Sequence, residues 1–155
     1  MKINRVLLIP FLGFLSLQAA EVSCSSCTIG KDMVKCDYYV VRKHNLKYQK
    51  NCLAYAKSID TDGMHAKAAW YYLLGGDKDS AKRCSKKALD MGQHYASEYK
   101  GLVDIVEKNI KDAKKELSFF KHKVKNVNYV KKDIEALKYI YKDFDAKVAN
   151  EILFK

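Results

Sequence analysis

The residues of this chain with the greatest capacity for chemistry are its five cysteines. Two of them, Cys24 and Cys27, form a CxxC pair, the spacing that thioredoxin-like oxidoreductases use for thiol–disulfide exchange. Those enzymes need a βαβ context, which this sequence lacks, and Thr28 stands where haem attachment would require a histidine. The pair therefore predicts a structural or labile disulfide, and a redox-active role is the alternative.

Other catalytic and metal-binding patterns are weak in the sequence. A structural zinc site needs four ligands, and neither a second CxxC pair nor a pair of closely spaced histidines follows the first CxxC. A Ser/His/Asp order, a Gly-rich phosphate loop and a close carboxylate pair are also missing. We therefore expect no metal, no cofactor and no enzymatic activity.

The N-terminal residues have the pattern of a secretory signal. A short basic start and an apolar run precede the small residues Ala19 and Ala20. The apolar run is shorter than the roughly 20 residues that a membrane-spanning helix needs. We predict a signal peptide over residues 1–20, with an uncleaved anchor or acylation of Cys24 as alternatives.

Export sets the compartment and narrows the class of partner. Residues 21–30 form a cysteine-containing segment, and residues 31–155 form the predicted domain, which would lie in the periplasm or outside the cell, where disulfides persist. Loss of Lys2 and Arg5 with the leader lowers the formal charge from +11 to +9. Basic domains often bind nucleic acid, but a secreted one is expected to meet acidic proteins or anionic envelope surfaces instead.

Lysines are concentrated between residues 111 and 132 and are offset there by few acids, mainly Asp112, Glu116 and the adjacent Asp133. This pattern is typical of a solvated lysine face, and the sharper interpretation is an electropositive patch for an acidic protein, lipid headgroups or cell-wall polymer. The residues that represent this basic patch are Lys114, Lys121, Lys123 and Lys125.

Composition and periodicity predict an all-α domain. The only proline lies in the leader, and straight-chain residues dominate long stretches, which favours helices. Short polar or glycine breaks divide the domain into eight helices, and the short links would join them into four hairpins. The predicted helices cover residues 31–43, 46–58, 64–74, 95–107, 110–122, 129–141 and 144–153, and the fourth helix, capped by Asp77 or Asp79, ends at Gly92.

The breaks inside the hairpins recur with a fixed period. Asn45, Asp77 and Asn109 are 32 residues apart, and each stands where its side chain can cap the second helix of a hairpin. The same step relates Cys52 to Cys84. A repeat of one helical hairpin is the signature of an α-solenoid, here of about four hairpins.

One stretch resembles a tetratricopeptide repeat. It reads Ala69-Trp70-Tyr71-Tyr72, then Gly76-Asp77, then Ala81, then Ala88-Leu89. Weaker copies surround Gly101 to Ala113 and Asn45 to Ala56, although the closing proline of that family is missing and the period is shorter than its 34 residues. The related Sel1-like proteins pair cysteines within each hairpin at a different spacing. The resemblance implies a protein- or peptide-binding solenoid with a concave groove.

In tetratricopeptide-like solenoids the middle of each first helix faces either the core or the groove. The register places Tyr38, Trp70 and Leu102 toward the groove, and Tyr95 is the fourth candidate for the partner surface. Core packing is the alternative for these residues, most evenly balanced for Trp70.

A disulfide between Cys36 and Cys52 is predicted from their positions on the two helices of the first hairpin. Cys52 and Cys84 occupy equivalent places in successive hairpins, and helices pack about 8–10 Å apart. A disulfide needs Cα atoms within about 7 Å, so this rival pairing is disfavoured. Cys24 would then pair with Cys27, which leaves Cys84 as a buried free thiol.

These observations favour a periplasmic or envelope-associated scaffold or adaptor for a protein or peptide ligand. The alternatives are an envelope thiol-disulfide or redox-sensing protein that uses Cys24 and Cys27, and a purely electrostatic binder of anionic envelope surfaces.

Overall fold

The computed structural model describes residues 25–61 and 63–155, with side chains from residue 28 onward. Within these residues the protein is all-α, as predicted. The first helix, α1 (Ser25–Lys35), begins six residues before the predicted start and continues into a π-helical stretch, Cys36–Arg42, which we call the π segment. A 3₁₀ turn, Leu46–Tyr48, leads into the next α-helix. The remaining helices are α2 (Gln49–Ile59), α3 (His65–Leu74), α4 (Lys78–Asp90), α5 (Ala96–Val106), α6 (Ile110–Lys123), α7 (Val130–Ile140) and α8 (Ala146–Phe154).

The predicted caps are confirmed. The side chain of Asn45 accepts a hydrogen bond from the Lys47 N–H, at the 3₁₀ turn that leads into α2. Asp77 and Asn109 cap α4 and α6 in the same way. Asp145, which does not belong to the 32-residue register, caps α8. Each cap satisfies a backbone donor that the first helical turn leaves without an intrahelical acceptor.

The residue before each of the three periodic caps adopts a left-handed conformation. The φ angles are +53° for His44, +85° for Gly76 and +63° for Lys108. Glycine adopts this region without strain, whereas His44 and Lys108 do so against the preference of L-residues. The 32-residue period is therefore present in the backbone of three breaks as well as in the sequence.

Consecutive helices pack side by side from α1 to α6. Small residues allow this close approach: a Cβ atom added at Gly101 of α5 would lie 2.6 Å from Leu117 Cγ of α6. Between the helices, large apolar side chains fill the core. The largest of these buried side chains are Phe120, Leu73, Leu74, Leu102, Ile105, Leu117, Ile134, Leu137 and Leu153.

The last two helices depart from this consecutive order. Helix α7 packs against the π segment and α3, as well as against α8, and α8 packs against α5 and α6. In an open repeat array each unit contacts only its neighbours. Here α7 packs against the π segment, which lies near the beginning of the described chain.

The position of α5 corrects one predicted groove residue. Leu102 is 0 % exposed and belongs to the core, so the prediction that it lines a groove is wrong. Helices α3, α4, α6 and α8 all pack against α5 and leave the Leu102 side chain without access to solvent.

The first pair of helices carries a covalent link. Cys36 and Cys52, the pair predicted from their spacing, form a disulfide whose Cα atoms are 5.0 Å apart. Because Cys36 begins the π segment and Cys52 lies in α2, the bond ties these two elements together. Among the described side chains, Cys84 is the cysteine with a free thiol, and it is buried.

Candidate ligand-binding cleft

An open cleft of about 820 Å³ lies between the π segment, α3 and α7. Its walls come from parts of the chain that are distant in sequence, and they meet because α7 packs against the π segment and α3. The residues that line it are Asp37, Val41, Arg42, His44, Trp70, Tyr71, Tyr129, Lys131, Lys132, Asp133 and Glu135. Its volume is within the range of ligand-binding clefts, and its lining is more charged than is usual for them.

The π segment and α3 meet at a hydrogen-bonded pair in the cleft wall. The buried Tyr71 hydroxyl lies 3.0 and 3.1 Å from the two carboxylate oxygens of Asp37, to which it donates. Burial raises the pKa of Asp37, against the lowering effects of the Tyr71 hydrogen bond and the charges of Lys67 and Arg42. The bond orients a carboxylate in the cleft wall.

A second hydrogen-bonded group supports the α7 wall. The Tyr129 hydroxyl donates to Glu98 Oε2 at 2.8 Å, and the buried Glu98 interacts directly with Asp133. Burial first, then the neighbouring Asp133 charge, raises the pKa of Glu98, and burial also raises the pKa of Asp133. Glu98 Oε1 has no hydrogen-bond partner among the residues that the structure describes, which also disfavours an ionised Glu98.

Trp70 is the predicted groove residue that the structure places in the cleft. Its ring is half-buried and stacks against Tyr99, with ring centroids 5.8 Å apart. Because it is the only tryptophan of the chain, it is also a built-in optical probe of the cleft.

The other exposed groove candidates lie outside the cleft lining. Tyr38 is 45 % exposed, packs edge-on against Tyr39 and carries the Lys43 ammonium over its ring. Tyr95 is 47 % exposed, and its hydroxyl donates to the Gln93 side chain. The structure therefore does not bring Tyr38 and Tyr95 together with Trp70.

The residues of the predicted basic patch are exposed. Lys114, Lys121, Lys123 and Lys125 all face solvent on or just after α6. Lys123 lies over the Phe119 ring at 5.6 Å, whereas the neighbouring Phe120 is fully buried. The patch is separate from the cleft, and its binding role stays a prediction.

The CxxC pair falls outside what can be described. Cys24 and the predicted leader lie outside the described residues, and the Cys27 side chain does as well. Within the described part of the chain, no helix is both long and apolar enough to span a bilayer.

Sequence reasoning missed the acids of the cleft, but the register held a signal for them. Asp37 and Asp133 are 96 residues apart, three periods of 32, and the intervening register positions are the small residues Ala69 and Gly101. At the two middle positions of this register, small residues let neighbouring helices approach closely. The carboxylates at its first and last positions indicate that these two positions are not packed against a helix in the same way. Glu98 and Tyr129 carried no comparable signal.

No protein-family model matches the chain, and the comparisons with curated proteins and with solved structures gave no match. The tetratricopeptide resemblance therefore rests on the residues of the chain alone.

Proposed function

We propose that this protein is an exported helical-repeat binding module, a scaffold or adaptor, whose cleft accepts a cationic side chain of a protein or peptide ligand. One observation carries the proposal: aromatic rings and carboxylates converge in one open cleft of an otherwise strongly basic chain. Aromatic faces and carboxylates are the two groups that proteins use to recognise Lys, Arg and other organic cations.

The charges around the cleft define the ligand more closely. Asp37, Asp133 and Glu135 line it, and Trp70 and Tyr129 supply rings against which a guanidinium or ammonium group can stack. Arg42, Lys131 and Lys132 also line the cleft and are exposed. A segment with one cationic side chain flanked by acidic groups complements both sets of charges. The net charge of the chain, +11, would repel a uniformly basic partner.

The finer architecture belongs to the same proposal. We infer a short tetratricopeptide-like array of four helical hairpins, supported by the periodic caps and by the left-handed residues at three breaks. The final hairpin would act as a cap that folds back over the groove side. A periplasmic or envelope location is inferred from the leader-like N-terminus and agrees with a disulfide in the domain.

Trp70 fluorescence provides the test of ligand class. The probes are capped short peptides that differ only in one central residue, which is Arg, Gln or Glu. We expect a saturable change in Trp70 emission with the Arg peptide and none with the others, because only the guanidinium can pair with the cleft carboxylates.

A matched pair of variants locates the binding. Asp37→Asn removes the charge but keeps an oxygen that can accept the Tyr71 hydrogen bond, and we expect it to weaken binding about 10-fold, the loss of one charge-assisted hydrogen bond. Asp90→Asn, an exposed acid at the end of α4, is the control and should change nothing. An equal response to Arg and Glu peptides, or binding unchanged by Asp37→Asn, would contradict the proposed function.

A further inference from the structure

A second cluster of reactive side chains lies on the other side of α3, away from the cleft. Asp60 follows the end of α2, His65 begins α3, and Cys84 is on α4. His65 Nδ1 lies 2.9 Å from Asp60 Oδ1, and Cys84 Sγ lies 3.3 Å from the same oxygen. One donor atom from each of the three residues falls within 4.8 Å of the other two. We call this set the Asp60 cluster.

The Asp60 cluster is enclosed on most sides. Cys84 is 0 % exposed and His65 is 4 % exposed, so both donor atoms are held inside the protein. Asp60 is the most accessible of the three and forms the edge that faces solvent. Its other oxygen, Oδ2, accepts hydrogen bonds from Arg83 Nη2 at 2.6 Å and from the Tyr72 hydroxyl at 3.2 Å. Oδ1 is thereby kept pointing at His65 and Cys84.

We propose that Asp60, His65 and Cys84 form a binding site for a divalent transition metal, and that Zn²⁺ is the ion that fits it best. A thiolate, an imidazole and a carboxylate are the three kinds of ligand that zinc takes from proteins. A carboxylate and a thiolate also balance the charge of a divalent ion. Three protein ligands leave a fourth position for water, as in zinc sites that stay open to solvent.

The distances fit this coordination. With bond lengths of about 2.0–2.3 Å to N, O and S, the donor atoms of a tetrahedral zinc site lie about 3.3–3.6 Å apart. Asp60 Oδ1 lies 2.9 Å from His65 Nδ1 and 3.3 Å from Cys84 Sγ, and the third separation, between His65 and Cys84, is within 4.8 Å. Side-chain rotation would bring the three atoms into a tetrahedral arrangement. Arg83 and Tyr72 would remain on Oδ2, since ligating carboxylates commonly carry such outer hydrogen bonds.

The competing interpretation is a catalytic Cys–His–Asp arrangement. Burial first, and then the hydrogen bond to Asp60 and its charge, raises the pKa of the Cys84 thiol to about 12. A nucleophilic cysteine needs the opposite shift and access to a substrate, and Cys84 has neither. Metal binding replaces the S–H proton by the ion: the thiol proton goes to solvent, and the imidazole binds neutral through Nδ1.

Co²⁺ is the probe for this site, because a cobalt–thiolate bond produces a charge-transfer absorption band that oxygen and nitrogen ligands do not. The protein is the untagged chain with Cys24→Ser and Cys27→Ser, which removes the CxxC pair as a rival site and leaves the disulfide intact. We expect one equivalent of Co²⁺ to produce the band and Zn²⁺ to displace it.

Variants then assign the ligands. Cys84→Ser should abolish the band, and His65→Gln should weaken Co²⁺ binding at least about 10-fold. His122→Gln, an exposed histidine on α6, is the matched control and should bind normally. Circular dichroism of each variant checks its fold. Protection of the Cys84 thiol from alkylation when metal is added to the parent protein is a second measurement, and it needs no substitution at Cys84. Absence of the band and of protection in the folded parent, or a band that survives Cys84→Ser, would overturn the proposal.

Discussion

Glu98 is the residue whose chemistry is most altered by the fold. It is almost completely buried on α5, contacts Asp133 on α7, and accepts a hydrogen bond from Tyr129. Burial, and then the charge of Asp133, raises the pKa of Glu98. Burial also raises the pKa of Asp133 and outweighs the lowering effect of Lys132. An ionised Glu98 would therefore be a buried charge beside other acids, and the fold favours its protonated form.

This environment predicts that stability depends on pH. With its pKa raised in the folded protein, Glu98 keeps a proton that the unfolded chain releases, so the contribution is present at acidic pH and is lost as the pH rises through the neutral range. We expect the free energy of unfolding to fall with pH over this interval, by up to about 1.4 kcal/mol per pH unit for one proton. Urea unfolding at a series of pH values measures the slope.

Glu98→Gln should flatten that slope, because the amide has the shape of the protonated acid and does not titrate. Glu151→Gln, on the exposed face of α8, is the control and should retain the slope of the parent protein. A Glu98→Gln variant with the same slope as the parent protein would contradict this assignment.

At the scale of the elements, helix ends are determined by local signals. Caps such as Asp77 and the glycine at Gly76 act within one turn, and so the predicted ends of α3 and α4 lie within about two residues of the observed ones. The π segment was not predicted, because an apolar pattern over seven residues cannot distinguish a π-helix from an α-helix. Non-local packing decides such geometry.

The break between α5 and α6 offers a direct test of this local control. Lys108 has a φ of +63° at a position where the equivalent residue of the α3–α4 break is Gly76. Lys108→Gly should raise the free energy of unfolding by about 1 kcal/mol, because a left-handed conformation costs L-residues about 1–2 kcal/mol and the exposed Lys108 bond to the Asp143 carbonyl contributes little.

Gly76→Ala is the reciprocal change and should destabilise the protein by a similar amount, since its φ is +85°. Chemical denaturation of both variants measures the pair. If Lys108→Gly were neutral while Gly76→Ala destabilised the fold, the strain assigned to Lys108 would be absent.

For the molecule as a whole, the disulfide braces one wall of the cleft. It joins the π segment, which carries Asp37, to α2 across 16 residues of chain. Closing a loop of this length stabilises a protein by about 3 kcal/mol in the chain-entropy model. We expect the double variant Cys36→Ala, Cys52→Ala to lose about that amount and to bind the Arg peptide more weakly.

Urea unfolding and Trp70 titration of this variant provide the measurement, in the background that lacks Cys24 and Cys27. Reducing agent should lower the stability of the parent protein and leave that of the double variant unchanged. A double variant as stable as the parent would mean that the loop is already restricted in the unfolded chain.

The cleft marks the limit of prediction from this sequence. Residue patterns predict the disulfide between Cys36 and Cys52, because it depends on neighbouring helices. They do not predict that Asp37 and Asp133 share a site, because that depends on α7 crossing to the π segment. The groove prediction for Leu102 is wrong for the same reason, because α8, which packs over α5, comes from a distant part of the chain.

The contact between α7 and the π segment also bears on how this protein can change over evolution. Open repeat arrays gain and lose units freely, because an added unit only lengthens the stack. Here an inserted or deleted helical pair would carry α7 away from the π segment, and the two halves of the cleft would no longer face each other. The number of helices between the π segment and α7 is therefore fixed for as long as the chain keeps this cleft.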